Sequence, residues 1–485
     1  GANNVAVGRL ALGANTTGTH NTAVGSGALD ASTTGSDLTA VGYNVLGANT
    51  TGYSNVGVGG SATYLAAALS TNTTGYGNTG VGSGAMAGTT TGSANVAMGR
   101  QAMYANTTGS NNVAVGDSAL DANTTASSNT AVGWGSLGVN TTGAQNTAVG
   151  RNAMDANTTA ANNVAVGYEA MTANTTGTAN VTVGAHSMQA NTTASNNTAV
   201  GYFSLAANTT GTGNNTLGYQ SLDANTTGSY NTAMGHVALT ANTTAADNTA
   251  FGGQAMYATT TGAKNTGIGS QALYANTTGA ENTAVGYQAL DANTTGTRNT
   301  ALGHGALSAL VGGYHYNVAI GYNALAVSTV NTGNVAIGAL AMDGLTSGSA
   351  TQCVAVGYAS MSGALAGYGN TALGDSTMTV ATSAFENTFI GRNSGVTLTT
   401  GDNNVALGSY AGDVVTTGSN NVLIGYDAGS DALGAITTVS NYIMLGNNST
   451  ANAEIKVDWT VISDQRDKTD IETLPDNAGL NFVNQ

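Results

Sequence analysis

The side chains able to do chemistry are few, and most of them stand alone. Five histidines, His20, His186, His236, His304 and His315, fall at unrelated places in the text. A metal centre needs three or four ligands converging, so they read as surface or turn residues. Asp121, Asp155, Asp223 and Asp291 share one spacing class. Such a row could bind calcium between chains, but without a glycine-aspartate calcium motif it reads as solvated surface. Tyrosines recur just after a glycine at Tyr43, Tyr168, Tyr202, Tyr219, Tyr287, Tyr322, Tyr358 and Tyr426. An aromatic stripe can stack on sugars, yet partly buried edge aromatics are the simpler expectation. The many Asn-Thr-Thr triplets match the N-glycosylation acceptor pattern and read first as turn chemistry. The single Cys353 has no disulfide partner and stands where the pattern otherwise has Asn, as a buried, inert thiol would. No acid, base and nucleophile converge, so the chain reads as a non-enzyme with no cofactor and no metal site.

The elements that carry these residues come from one repeat. Residues 282–296 read NTAVGYQALDANTTG, and this unit returns with a period of 17. Its glycine falls at Gly8, Gly25, Gly42 and Gly59, restarts at Gly82, and steps by 17 from Gly99 to Gly303. A fixed period of this size specifies a repeat architecture. The expected fold is all-β: an elongated β-solenoid of 17-residue coils. Within a coil, Thr147-Ala148-Val149 alternates like a short strand; Val149 is expected inside, with Ala148 on a face closely approached by a neighbour. Ala153-Met154 is a second apolar anchor on a second short strand. Asn-Thr-Thr-Gly closes the coil, since Asn and Gly tolerate left-handed backbone. Stacked strands lie about 4.8 Å apart, so some two dozen coils give a rod of roughly 120 Å, lined by Asn and Thr ladders.

Composition agrees with a rod. Charged residues make up 7%, Gly numbers 70 and Pro only 1. With 9 Lys and Arg against 24 Asp and Glu, the net charge is −15, so there is no basic stripe for nucleic acid. No apolar run is long enough to span a bilayer, and the N-terminus lacks the pattern of a signal peptide. The chain opens in mid-repeat at Gly1-Ala2-Asn3-Asn4, which leaves room for an attachment module before it. A 17-residue coil encloses little apolar volume, so a homotrimer of slender solenoids is expected. The divisions are residues 1–307, regular shaft; 308–446, degenerate repeats with variable loops, where a recognition surface is expected; 447–462, a connecting strand region; and 463–485, a charged segment of different character. Between Gly59 and Gly82 the spacing widens to 23, with the extra residues assigned to a loop around Tyr64 to Leu69.

In the last segment, Ser463-Asp464-x-Arg466-x-Lys468-x-Asp470-Ile471, followed by Gly479-Leu480-Asn481-Phe482-Val483, resembles the start of the intramolecular chaperone domain of peptidase S74 type, found at the C-termini of phage tail fibres and tailspikes. It departs at Asp467, where that family usually carries Leu. The resemblance implies a domain that drives trimerisation and then cuts itself off with Ser463 and Lys468. A serine hydroxyl becomes nucleophilic when a base takes its proton, and a lysine of lowered pKa can serve. Without the resemblance the run reads as a polar linker. The upstream repeats resemble the coils of trimeric autotransporter adhesin heads. Together these imply an extracellular fibre shaft that presents a surface to a host-cell receptor such as a glycan. A bacterial surface adhesin is the alternative, and an ice-binding solenoid the second.

Overall fold

A computed structural model describes residues 1–61, 65–329, 332–345, 350–363, 365–430 and 436–451. The described residues form a parallel β-solenoid with no helix. Twenty-six strands of three residues run from β1 (Val5–Val7) to β26 (Ile443–Leu445). Each pairs in parallel with the strands before and after it, so that Thr147, Ala148 and Val149 sit beside Val164, Ala165 and Val166 of the next coil. This is the fold that the period predicts. Glycine ends each strand because nothing else fits there. Gly286 has φ +134°, and a Cβ on it would lie 2.5 Å from the Gly303 carbonyl oxygen. Side chains rarely adopt that backbone, and the coil above leaves no room for one.

Two expectations about the coil are overturned. In β9 (Thr147–Val149), Ala148 is fully buried, while Thr147 and Val149 lie on the outer face. The inside of the strand is the alanine side because the interior is filled from the opposite wall. Met154, Met171 and Leu290 are each fully buried, and their bulk leaves space only for a methyl group across from them. At Gly267 even a methyl group would come within 2.8 Å of Met256 Cγ.

The second anchor is also not a strand. Gln288 and Leu290 have φ of 52° and 54°, with Ala289 N–H donating to the Gly286 carbonyl at 3.4 Å. The chain therefore crosses by consecutive tight turns, and each coil carries one strand. A left-handed leucine costs about 1–2 kcal/mol. Full burial of that side chain returns about 1.5–3 kcal/mol, which explains why the conformation persists.

Two asparagine ladders finish the interior. Asn282 Nδ2 donates to the Gly296 carbonyl at 2.8 Å, and its Oδ1 accepts the backbone N–H of Asn299 in the next coil at 3.0 Å. Asn293 Nδ2 donates to Asn276 Oδ1 at 3.0 Å and to the Gly296 carbonyl at 3.2 Å. All of these asparagines are buried and bonded to one another or to the backbone; where threonine follows in the row, at Thr89 and Thr259, the Oδ1 of Asn72 and of Asn242 is left without a partner.

Departures from the repeat come in compensating pairs. Thr182 replaces an inner alanine, and its hydroxyl meets that of Ser187; Thr216 does the same and meets Ser204 at 2.6 Å. In β23 (Thr388–Ile390) the inner residue is Phe389, and the following anchor shrinks to Gly395, where a Cβ would lie 2.5 Å from the ring. In the widened coil, Ala67, Ala68 and Leu69 are buried core. Leu69 is therefore that coil's own anchor, and the inserted residues precede it, a correction to the loop expected there.

Candidate functional site

The solenoid presents its polar chemistry as rows along the rod, each row one residue per coil at the strand spacing. The aromatic row follows the strand-ending glycine. Tyr202 and Tyr219 stack at 5.8 Å between ring centroids, and Tyr219 stacks on His236 at 5.3 Å with planes 9° apart. Tyr287, His304 and Tyr322 continue the theme at 5.2 and 5.4 Å. Other rows stack too, with Tyr53 on Tyr76 at 4.9 Å and Tyr257 on Tyr274 at 5.2 Å. Ring faces in these stacks are turned to one another along the axis. The eight tyrosines after the repeat glycine are all exposed, from 42% at Tyr168 to 62% at Tyr426, so the row lies on the surface and is not the partly buried edge expected of it.

His236 and His304 therefore do not stand at unrelated positions. Both follow the repeat glycine and belong to the tyrosine row, a signal the spacing already contained. His186 sits one residue further on, stacked with Phe203 at 4.8 Å and with Nδ1 3.5 Å from Glu169 Oε2. His20 lies 3.6 Å from Asp37, and His315 Nδ1 accepts from the Thr297 backbone N–H at 3.0 Å. Among the described residues, no three His, Cys, Asp or Glu side chains gather as a metal site.

Charged residues also pair along the axis. Arg100 makes a two-pronged contact with Asp117 at 3.1 and 3.2 Å. Arg298 donates to Glu281 at 2.6 Å and to the Tyr316 hydroxyl at 2.8 Å. Arg151 lies 5.0 Å from the centre of the Trp134 ring and 5.8 Å from that of Tyr168, a cation held between two rings.

The aspartate row differs from its expectation. Asp121, Asp155, Asp223 and Asp291 are half-buried, and desolvation raises each carboxyl above its ordinary value. Cys353 is buried in the asparagine row, as its place in the repeat predicts, and burial pushes its thiol up. The asparagines of the Asn-Thr-Thr triplets from Asn49 onward are buried, Asn293 with its Nδ2 engaged, so the folded coil offers them to no glycan transfer; Asn15, in the first coil, is half-buried. From Thr16 to Thr277 the first threonine hydroxyl of each pair donates to the next coil, as from Thr277 to the Thr294 carbonyl at 2.9 Å, and the second threonine is exposed. Ser463 and Lys468, the residues of the implied self-cleavage, lie outside the described residues, as do residues 452–462 of the connecting strand region and the segment 463–485.

The row that sequence reasoning missed is apolar. Because alanine points inward, the third residue of every strand points out, and many of these are well exposed: Met98 by 45%, Leu217 by 51% and Phe251 by 55%. Compared with known protein families the chain matches none, and compared with curated proteins it finds no significant match.

Proposed function

We propose that this chain is the shaft of an extracellular fibre, a phage tail fibre or related appendage, assembled as a homotrimer and holding a host-receptor-binding surface at a distance. The observation that carries this reading is the unbroken parallel ladder from β1 to β26, in which each strand pairs only with its sequence neighbours. Side-chain hydrogen bonds, ring stacks and ion pairs run along the same axis. Such a body is built to span distance, since coils of this kind add stiffness and length with each copy. The receptor-facing role goes to residues 308–446, where the turns vary over a constant core. A chaperone of the kind that the segment from Ser463 resembles would bring three chains together and release itself through Ser463 and Lys468.

Small-angle scattering with sedimentation equilibrium tests the reading. The expected particle is a rod of roughly 120 Å or longer, with about three times the 47.5 kDa chain mass. A compact or monomeric particle refutes it. For the processing step, a chain extended beyond Gln485 is compared with its Ser463→Ala and Lys468→Ala forms by mass spectrometry. Unchanged processing in both removes the proposed pair.

A further inference from the structure

The 26 strands each place two side chains outward, and these 52 positions form one face of the solenoid. At the third position stand only Val, Met, Leu, Ile and Phe; at the first stand Thr, Val, Asn215 and Ile443. No position on this face is charged, although the chain carries 33 charged residues, the sum of 9 and 24. Those that stand in the coils lie on the turns. The face is also continuous: Val132, Val149 and Val166 follow one another in register, as do Leu407, Ile424 and Leu445.

A side chain of this size buries on the order of 100 Å² when fully covered. Thirteen of the 26 third-position residues are exposed, from 37% at Val24 upward with Leu302 at 46%, and the other thirteen, Val132, Val149 and Val166 among them, are half-buried, so roughly 30 Å² of each is open on average. Over 26 strands that is on the order of 1,000 Å² of contiguous apolar surface. Monomers rarely leave more than a few hundred Å² open in one patch. A stable interface takes about 800 Å² from each partner.

We infer that this outer sheet face is where copies of the chain meet, the β-branched row of one solenoid lying along that of the next. A second copy is the occupant that fits, because its face has the same length, the same spacing of about 4.8 Å and no charge to desolvate. A globular partner would cover only a fraction of so long and narrow a row. This assigns assembly to the valine side of the strand and not to its alanine side, which is sealed inside each coil. The inference rests on the reading of the chain as an assembled shaft.

The experiment compares the wild-type chain with two sets of variants by sedimentation equilibrium. One set carries Val132→Lys, Val149→Glu and Val166→Lys, alternating in sign so that neighbouring strands still attract within a chain. The other carries Thr142→Lys, Thr159→Glu and Thr176→Lys on the exposed threonine row. The expected result is a multiple of 47.5 kDa for the wild type and the threonine set, and a tenfold or greater weakening of association for the valine set, with circular dichroism unchanged. Should the charged valine set fail to fold, Val132→Thr, Val149→Thr and Val166→Thr keep the β-branched shape and serve in its place. An assembled wild type whose valine variants associate equally well overturns the assigned face and leaves the shaft reading standing. A monomeric wild type overturns both.

Discussion

Replacing Asn163 with alanine tests whether the asparagine rows hold the coils together. Asn163 Nδ2 donates to the Gly177 carbonyl at 2.9 Å, and its Oδ1 accepts the Asn180 backbone N–H at 2.9 Å and Asn180 Nδ2 at 3.2 Å. The losses are unequal. The Gly177 carbonyl keeps Asn174 Nδ2 at 3.0 Å, and Asn180 Nδ2 keeps the Ala194 carbonyl at 2.9 Å. Only the Asn180 backbone N–H is left buried without an acceptor, at about 1–3 kcal/mol, and a second hydrogen bond worth about 1 kcal/mol goes with it. The total is about 3 kcal/mol, which corresponds to roughly a hundredfold in a local opening equilibrium. A repeat array opens locally, so a single melting temperature averages the effect away. Native-state hydrogen exchange resolves it. Protection at the Asn180 amide is expected to fall by roughly a hundredfold, with the loss confined to adjacent coils. Protection unchanged at Asn180, or lowered equally along the rod, refutes the reasoning. The chain contains its own precedent, since Leu38 and Cys353 interrupt the same row and remain buried; one break is a local cost and not a fatal one.

Three further outcomes follow from the packing and the burial of charge. Phe389→Ala is expected to cost about 3–5 kcal/mol by leaving a cavity. Because Gly395 is small for the sake of that ring, Gly395→Leu together with Phe389→Ala should recover part of the loss in a double-mutant cycle followed by hydrogen exchange. Additive effects would show that the two sites are not a volume pair. The half-buried carboxyls of Asp121, Asp155, Asp223 and Asp291 are raised by desolvation above the ordinary 3.8. Their linked stability is fully present below that unfolded value and is lost as pH rises through the higher folded values. Urea midpoints should therefore rise between pH 7 and pH 4, and changing all four to Asn should flatten that rise; an unaltered slope refutes the assignment. Finally, Cys353, buried and with its thiol pushed up, should react with a thiol reagent only after denaturation, and rapid reaction in the native rod would contradict its burial.

The period, the stacked solenoid and the positions that admit only one residue can be read from the chain's text. Gly286 and its equivalents stand where the next coil's carbonyl leaves no room for a Cβ, and that constraint shows in the text as an invariant spacing. The place of Cys353 in the buried asparagine row was legible for the same reason. So, in principle, was the kinship of His236 and His304 with the tyrosine row, since all of them follow the same glycine.

Which side of the strand faces inward is set by packing across the coil. In Thr147-Ala148-Val149 a pattern of period two marks two faces, and hydrophobicity alone puts valine within. The outcome is the reverse because Met154 and its counterparts enter from the opposite wall, on a turn whose left-handed leucines and methionines no propensity would predict. Once they fill so narrow a coil, the strand can offer it only a methyl group. The displaced valines then become the outer face, a consequence of packing across the coil that no single stretch of sequence contains.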